Sequence, residues 1–129
     1  MATTRRAVLL AEDDANVRSV VADTLRQDGY EVIEASNPSE ALALARRHAD
    51  TIGLLITDLV MPELNGLQLA EILRSSQPEI KVLFMSGYDE ESSVVSGLEG
   101  MKGQLLHKPF SADELTQRVH AALPRQPSS

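Results

Sequence analysis

The chain of 129 residues contains no cysteine, which excludes disulfides, thiolate metal sites and a cysteine nucleophile. It also has no apolar run near the roughly 18 residues that cross a bilayer, so membrane insertion is not expected. The apolar stretch VLLA near the N-terminus is broken at once by Glu12, Asp13 and Asp14, which is not the pattern of a secretory signal. These absences predict a cytoplasmic protein.

Positive charge is scarce as well. Lysine and arginine number 12 against 19 aspartates and glutamates, and the formal net charge is −7. A general binder of the nucleic-acid backbone needs a basic face that displaces counterions, so nucleic acid is not a predicted partner. No GxxxxGK[ST] loop occurs, and a bound nucleotide is therefore not expected.

Short apolar runs alternate with helical patterns along the chain. Several runs are nearly continuous, as in strands that are buried on both faces of a parallel sheet. They predict strands at Ala7–Ala11, Tyr30–Ala35, Gly53–Thr57, Ile80–Met85 and Gly103–Leu106. Five strands alternating with five helices imply right-handed crossovers. The predicted fold is α/β, a doubly wound (βα)5 sandwich around a five-stranded parallel sheet.

Helical spacing and capping signals predict the helices. Asn37 and Ser111 are cap-type residues with a glutamate three positions later, and Gly29 is a typical helix stop. The predicted helices cover Val17–Leu25, a segment opening at Asn37, Leu67–Ser75, Asp89–Leu98 and a segment opening at Ser111. The length fits one domain, predicted over residues 1–123. Residues 124–129, PRQPSS, form a predicted disordered polar tail.

Acidic residues follow two of the predicted strands. Glu12 and Asp13 leave the first strand, and Asp58 leaves the third, at the edge where parallel strands place their carboxyl ends. If these two strands are neighbours in the sheet, the three acidic side chains meet in one pocket. Two unit charges about 4 Å apart repel by roughly 4 kcal/mol at an effective dielectric near 20, so three carboxylates need a cation or a proton. Oxygen ligands at an open, wet edge predict Mg²⁺.

The same edge receives a hydroxyl and an ammonium group. Ser86 ends the fourth strand, and Lys108 follows the fifth. A carboxylate, a divalent cation, a hydroxyl and a lysine around one point suit a phosphoryl group, whose oxygens need positive charge and donors. The simplest acceptor is Asp58 itself, because carboxylates form aspartyl-phosphates.

Four motifs in this order, AEDD, TDLVMPELNG, MSGY and HKPF, resemble the receiver domain of two-component response regulators over residues 6–123. The resemblance implies a flavodoxin-like fold with strand order 2-1-3-4-5. It also implies that Asp58 is the phosphoacceptor. Asp13 would ligate Mg²⁺ directly, Glu12 through water, and Val60 through its carbonyl.

The resemblance further implies that the Ser86 hydroxyl switches onto the phosphoryl group and that Lys108 contacts it, with a cis bond to Pro109. The donor would be a histidine on a sensor histidine kinase or a phosphotransfer protein. The responding surface would be the fourth helix and fifth strand, and a weak homodimer is allowed. The stretches VLFMSGY and LLHKPF are most similar to receivers fused to hybrid sensor kinases.

Two other functions fit parts of the pattern. A phosphohydrolase with Asp58 as nucleophile would need a general acid two residues on, where Val60 stands. A degenerate receiver that only binds a partner would not need the intact set of acidic, hydroxyl and lysine residues. The chain departs from the common family pattern twice, with Leu105 at a position that is often aromatic and with Glu12 in place of an aspartate.

Overall fold

The structure, a computed structural model, describes residues 6–87 and 104–123. Five strands and four helices lie in these ranges. The strands are β1 (Ala7–Ala11), β2 (Glu31–Ala35), β3 (Ile52–Asp58), β4 (Lys81–Ser86) and β5 (Leu105–His107). The helices are α1 (Ala15–Gln27), α2 (Pro38–Arg47), α3 (Gly66–Ser76) and the C-terminal helix (Ala112–Ala122).

The strands form one parallel sheet in the order β2-β1-β3-β4-β5. This confirms the predicted flavodoxin-like order, in which the chain reverses direction across the sheet between β1 and β3. Crevices at such switch points lie beyond the carboxyl ends of the strands. The topology therefore brings the ends of β1 and β3 together.

Most strand boundaries differ from prediction by a residue or two. β1 is as predicted, whereas β3 extends through Asp58 instead of ending at Thr57. β5 is Leu105–His107, because His107 still pairs with Ser86 of β4. The fourth helix predicted near Asp89–Leu98 and the predicted tail at 124–129 lie outside the described residues.

Side-chain caps begin the described helices. Asp14 caps α1 by accepting from the backbone N–H groups of Asn16 and Val17. Asn37 and Ser111 cap α2 and the C-terminal helix, as predicted. Asn65 caps α3 in a reciprocal pair with Gln68, which lets the first helical residue be Gly66. Each cap satisfies N–H groups that the first turn leaves unpaired.

The sheet is buried on both faces. Leu9, Leu55 and Phe84 pack on the side of α2 and α3, whereas Leu10 and Ile56 pack on the side of α1 and the C-terminal helix. Side chains alternate between the two faces of a strand, so a continuous apolar run supplies both cores. The two cores hold the strand ends rigidly at the edge of the sheet. Among the described residues, no helix has both the length and the apolarity to cross a membrane.

Candidate functional site

Three acidic side chains meet at the carboxyl ends of β1 and β3. Ala11 pairs with Thr57 across the two strands, so Glu12 and Asp58 come next to one another. Glu12, Asp13 and Asp58 each offer a carboxylate oxygen, and these oxygens lie within 4.8 Å of one another. The structure thus brings together the acidic residues that the sequence analysis selected.

Asp58 is the last residue of β3 and is 3% exposed. The chain leaves it through the loop of residues 59–65. At the start of this loop the Leu59 N–H donates to the Met85 carbonyl of β4 at 2.9 Å, and at its end the Gly66 N–H donates to the Leu59 carbonyl at 2.7 Å. The carboxylate oxygen Oδ1 lies 2.7 Å from Nζ of Lys108. This short contact is an ion pair between the ammonium group and the carboxylate.

Glu12 and Asp13 differ in exposure although they are neighbours. Glu12 is fully buried: its Oε2 accepts from the Asp14 N–H at 3.0 Å, and its Oε1 lies 3.3 Å from Nζ of Lys108. Asp13 is exposed. The ammonium group of Lys108 therefore bridges two buried carboxylates from different strands, while Asp13 offers its carboxylate from the solvent side.

Burial is the largest influence on the charge state of this cluster. Burial, then the hydrogen bond with Glu12 and its charge, raise the pKa of Asp58 from 3.8 to about 8, against the lowering effect of Lys108. Burial raises the pKa of Glu12 too, but hydrogen bonds with Asp58 and the Asp14 N–H, together with Lys108, lower it overall. These opposite shifts favour the protonated form of Asp58 and the ionised form of Glu12 at neutral pH when no cation is present.

Lys108 stays charged in this setting. Burial lowers the pKa of its ammonium group, but the hydrogen bond and charge of Asp58, and then those of Glu12, raise it overall. Its bond to Pro109 is cis, as the family resemblance implies. The Lys108 N–H donates to the Ser86 carbonyl at 2.7 Å, which ties the start of this loop to the end of β4.

Ser86 ends β4 beside this cluster. Met85 of β4 pairs with Asp58 of β3, so Ser86 lies one residue beyond the position opposite Asp58. Its side chain is fully buried, and its Oγ has no hydrogen-bond partner among the described residues. Such an unpaired buried hydroxyl costs free energy. It is a donor available to a group that enters the site.

The acidic cluster fits Mg²⁺ by its chemistry. The ion prefers oxygen ligands, keeps several waters and takes one or two carboxylates. One exposed and two buried carboxylates with oxygens within 4.8 Å supply such a set. Val60 stands two residues after Asp58 and is 41% exposed; the role of its carbonyl stays a prediction.

The role of Gly66 is not evident from the sequence. The Asn-Gly pair indicates only a turn, but a Cβ at Gly66 would lie 2.2 Å from the carbonyl oxygen of Asp58. The start of α3 is therefore packed directly against the backbone of the central aspartate. A glycine eight residues after a strand-ending aspartate is the only signal in the sequence, and spacing alone does not reveal the contact.

Comparisons with known proteins agree on one family. The family model described as the response regulator receiver domain matches residues 8–120. The chain is 36% identical over 119 residues to the sensor kinase CckA of Brucella abortus, an alignment that covers 92% of this chain and 13% of the kinase. It is 35% identical over 118 residues to the response regulator MprA of Mycobacterium leprae, covering 92% of this chain and 51% of MprA.

A solved structure gives the same result. The crystal structure of the receiver domain from the hybrid histidine kinase CckA superposes with a TM-score of 0.75 at 35% identity. The match covers 91% of this chain and 98% of that domain. The chain spans about half or less of the length of the two curated relatives, 51% and 13%.

Proposed function

Because the chain belongs to the response regulator receiver family of two-component systems, we propose that Asp58 accepts a phosphoryl group from a phosphohistidine. Receiver domains take phosphoryl groups from histidine kinases. The donor for this chain is a sensor histidine kinase or a histidine phosphotransfer protein. The observation that carries the proposal is the buried Asp58 carboxylate with Lys108 at 2.7 Å and two further carboxylates around it.

The transfer uses the Asp58 carboxylate as nucleophile. A carboxylate oxygen attacks phosphorus, the new O–P bond forms, and the N–P bond to the donor imidazole breaks. The imidazole takes up a proton as it leaves. Asp58 must be ionised for this attack. Burial raises its pKa to about 8 in the cation-free protein, so a cation held by the acidic residues would favour the ionised form.

Three groups of this chain serve the phosphoryl oxygens. The Lys108 ammonium group lies at the carboxylate already, and the Ser86 hydroxyl, which has no hydrogen-bond partner within the described part of the chain, supplies a donor. Glu12, Asp13 and Asp58 would hold Mg²⁺, with Asp13 as a direct ligand, Glu12 acting through water and the Val60 carbonyl as a further ligand, as the family resemblance implies. Mg²⁺ supplies the positive charge that phosphoryl transfer requires.

An apolar groove beside Lys108 suits the donor. It has a volume of about 540 Å³ and lies between α1 and the loop after β5. Val20 is 65% exposed there, so its side chain is open to contact with a partner. The groove is lined by Asn16, Val17, Val20, Val21, Lys108, Pro109 and Phe110. A donor helix seated on it would bring its phosphohistidine within reach of Asp58.

Phosphorylation switches the surface formed by the fourth helix and β5. The Ser86 hydroxyl moves toward the phosphoryl group, and the space it leaves lies next to β5, since Ser86 pairs with His107. Leu105, which is 6% exposed, adjusts there without the turn of a large ring. The fourth helix and most of its preceding loop lie outside the described residues, so this step stays a prediction from the family resemblance.

The chain is a signalling module rather than an enzyme with a separate substrate. The residue two positions after Asp58 is Val60, which offers no general acid for a phosphohydrolase. The domain comprises residues 1–123 and catalyses only its own phosphorylation and dephosphorylation. The predictions of no nucleic-acid binding and of a weak homodimer remain expectations about this chain.

Phosphorylation in vitro tests the proposal. With Mg²⁺ and a small phosphodonor such as acetyl phosphate, intact-mass spectrometry should show the gain of one phosphoryl group. Asp58→Asn should remove the gain, because the amide is not a nucleophile. Asp50→Asn, a matched change at an exposed aspartate, should retain it. An equal yield in Asp58→Asn would refute the assignment of the phosphoacceptor.

A further inference from the structure

Arg18 contacts the acidic loop from outside the cluster. It lies in the first turns of α1, and its Nη1 donates to the carbonyl oxygen of Glu12 at 2.8 Å. Its Nε lies 3.5 Å from Oε1 of Glu34 on β2. Only 20% of the Arg18 side chain is exposed. The guanidinium group is therefore held between a strand carboxylate and a backbone carbonyl.

Glu34 is itself anchored. Its Oε2 accepts from Nη1 of Arg26 at 2.9 Å, and Nη2 of Arg26 donates to the Val32 carbonyl at 2.8 Å. The chain of contacts runs from the backbone of β2 through Arg26 and Glu34 to Arg18. It ends on the peptide that joins Glu12 to Asp13. The fork of a guanidinium group makes two such contacts at fixed angles, which an ammonium group does not.

The exposed Asp13 is fixed by its two neighbouring peptides. On its N-terminal side the Glu12 carbonyl is held by Arg18. On its C-terminal side the Asp14 N–H is held by the buried carboxylate of Glu12. An exposed side chain in an unsupported loop would adopt many orientations, and these two contacts remove most of the backbone freedom.

We propose that Arg18, anchored by Glu34, is a positioning residue for the cation site, which it serves by fixing the Glu12–Asp13 peptide. This inference rests on the proposed function. A positive charge near a cation site weakens cation binding through repulsion. The geometric role of Arg18 and its charge therefore act in opposite directions, which makes them separable by experiment.

Two substitutions separate geometry from charge. Arg18→Lys keeps the charge and loses the fork, whereas Arg18→Met loses both. If Arg18 acts by positioning, both variants should weaken Mg²⁺ binding by about tenfold, as is typical when the support of a metal ligand is lost. If it acts only through charge, Arg18→Met should bind Mg²⁺ more tightly and Arg18→Lys should be unchanged, and that result would overturn the proposal.

The measurement is a titration of the full chain with Mg²⁺ alone and with Ca²⁺ alone, followed by amide NMR shifts. Mg²⁺ requires near-ideal octahedral geometry, whereas Ca²⁺ tolerates irregular ligands. Loss of positioning should therefore lower the preference for Mg²⁺ over Ca²⁺. Equal losses for both ions would indicate general damage to the acidic site and would overturn the positioning role. At saturating Mg²⁺ the phosphorylation yield with acetyl phosphate should return to that of the original protein.

Two control variants test whether the effect is specific to Arg18, and Mg²⁺ binding by the unaltered protein tests the proposed cation site. Arg47→Met removes the same charge from an exposed position near the end of α2 and should leave both affinities unchanged. Glu34→Gln weakens only the contact that anchors Arg18, so it should lower the Mg²⁺ affinity by less than the Arg18 variants do. If the Arg18 variants do not fold, an unchanged Mg²⁺ affinity in Glu34→Gln overturns the proposal. If the unaltered protein does not bind Mg²⁺, both the proposed cation site and this inference are overturned. If the unaltered protein and the Arg18 variants bind Mg²⁺ equally well, only this inference is overturned.

Discussion

The surroundings of Asp58 disfavour its ionised form and thereby lower the stability of the fold. Its carboxyl group is nearly inaccessible to solvent and lies close to Glu12, and both conditions disfavour its ionised form. Lys108 offsets only part of this cost, because it is shared with Glu12. Without a cation or a phosphoryl group, ionising Asp58 in the folded protein therefore costs free energy.

The cost predicts how stability changes with pH. The folded pKa of Asp58 is raised to about 8, above the ordinary value of 3.8. Between these values the folded state keeps a proton that the unfolded state has lost, so the contribution of Asp58 to the free energy of unfolding falls as pH rises through this window. Above it the cost is constant. Asp58→Asn removes the cost and should stabilise the metal-free protein at neutral pH by on the order of 1–3 kcal/mol.

Urea unfolding at several pH values, in the presence of a metal chelator, tests this prediction. The difference between Asp58→Asn and the original protein should be small near about pH 4 and should grow toward about pH 8. Asp50→Asn provides the comparison, since Asp50 is exposed. A difference that does not vary with pH would mean that the Asp58 carboxyl is not strained by its surroundings.

At the level of strands and helices, the apolar runs and caps predict most of what is observed. Continuous runs predict β1 and β3 because strands with two buried faces have few polar positions. The end of β3 is harder to predict, since Asp58 continues the hydrogen-bonded ladder although its side chain is polar. The local sequence does not show that another strand supplies the partner.

The sequence predicts which residues form the candidate site but not how they are arranged. Four motifs select Glu12, Asp13, Asp58, Ser86 and Lys108. Which member of the acidic pair is buried depends on the twist and register of β1 against its neighbours, and Glu12 is the buried one. The supporting contacts of Arg18 and Gly66 join elements that are distant or unmarked in sequence, so no local pattern reveals them.

Gly66 gives a prediction about the turn between β3 and α3. In Gly66→Ala the new Cβ would meet the Asp58 carbonyl oxygen at 2.2 Å, the carbonyl carbon at 3.1 Å and Cα of Leu59 at 3.2 Å. All three are backbone atoms that cannot rotate away. Either α3 or the end of β3 must shift, which should cost about 1–3 kcal/mol and displace Asp58. Thermal unfolding and the Mg²⁺ affinity should both be impaired.

Gln68→Ala is the matched control in the same helical turn. It removes the side chain that accepts from the Asn65 N–H at 3.0 Å without placing an atom against β3. It should therefore lower stability by less and leave the Mg²⁺ affinity near its original value. If Gly66→Ala were as mild as Gln68→Ala in both measurements, the close packing of α3 on Asp58 would not matter to the site.

On the scale of the whole molecule, the parallel sheet brings charged residues that are distant in sequence to one edge, where their charges interact. Charges from β1, β3 and the loop after β5 meet within hydrogen-bonding distances at a single edge. The hydrophobic cores on both faces keep these strand ends from moving apart to relieve repulsion. Ligand binding at this edge is thereby coupled to the stability of the entire domain.

That coupling predicts that Mg²⁺ affinity rises with pH and that Mg²⁺ removes the pH dependence of stability due to Asp58. Below about pH 8 a cation must displace the proton that the Asp58–Glu12 pair holds, so Mg²⁺ affinity should rise with pH, by at most about tenfold per unit, and level off above. Without Mg²⁺, the contribution of Asp58 makes the domain less stable from about pH 5 to about pH 8. With saturating Mg²⁺, Asp58 is ionised in both folded and unfolded states, and this decline should disappear.

Thermal unfolding at several Mg²⁺ concentrations, repeated at about pH 6, 7 and 8, measures both effects in one experiment. In Asp58→Asn the proton competition is gone, because the amide does not titrate, so whatever Mg²⁺ affinity Glu12 and Asp13 retain should be nearly independent of pH in this range. A Mg²⁺ affinity that is flat with pH in the original protein would show that the cation binds without displacing a proton. Asp58 would then already be ionised, and Lys108 rather than the shared proton would be compensating the charge of the pair.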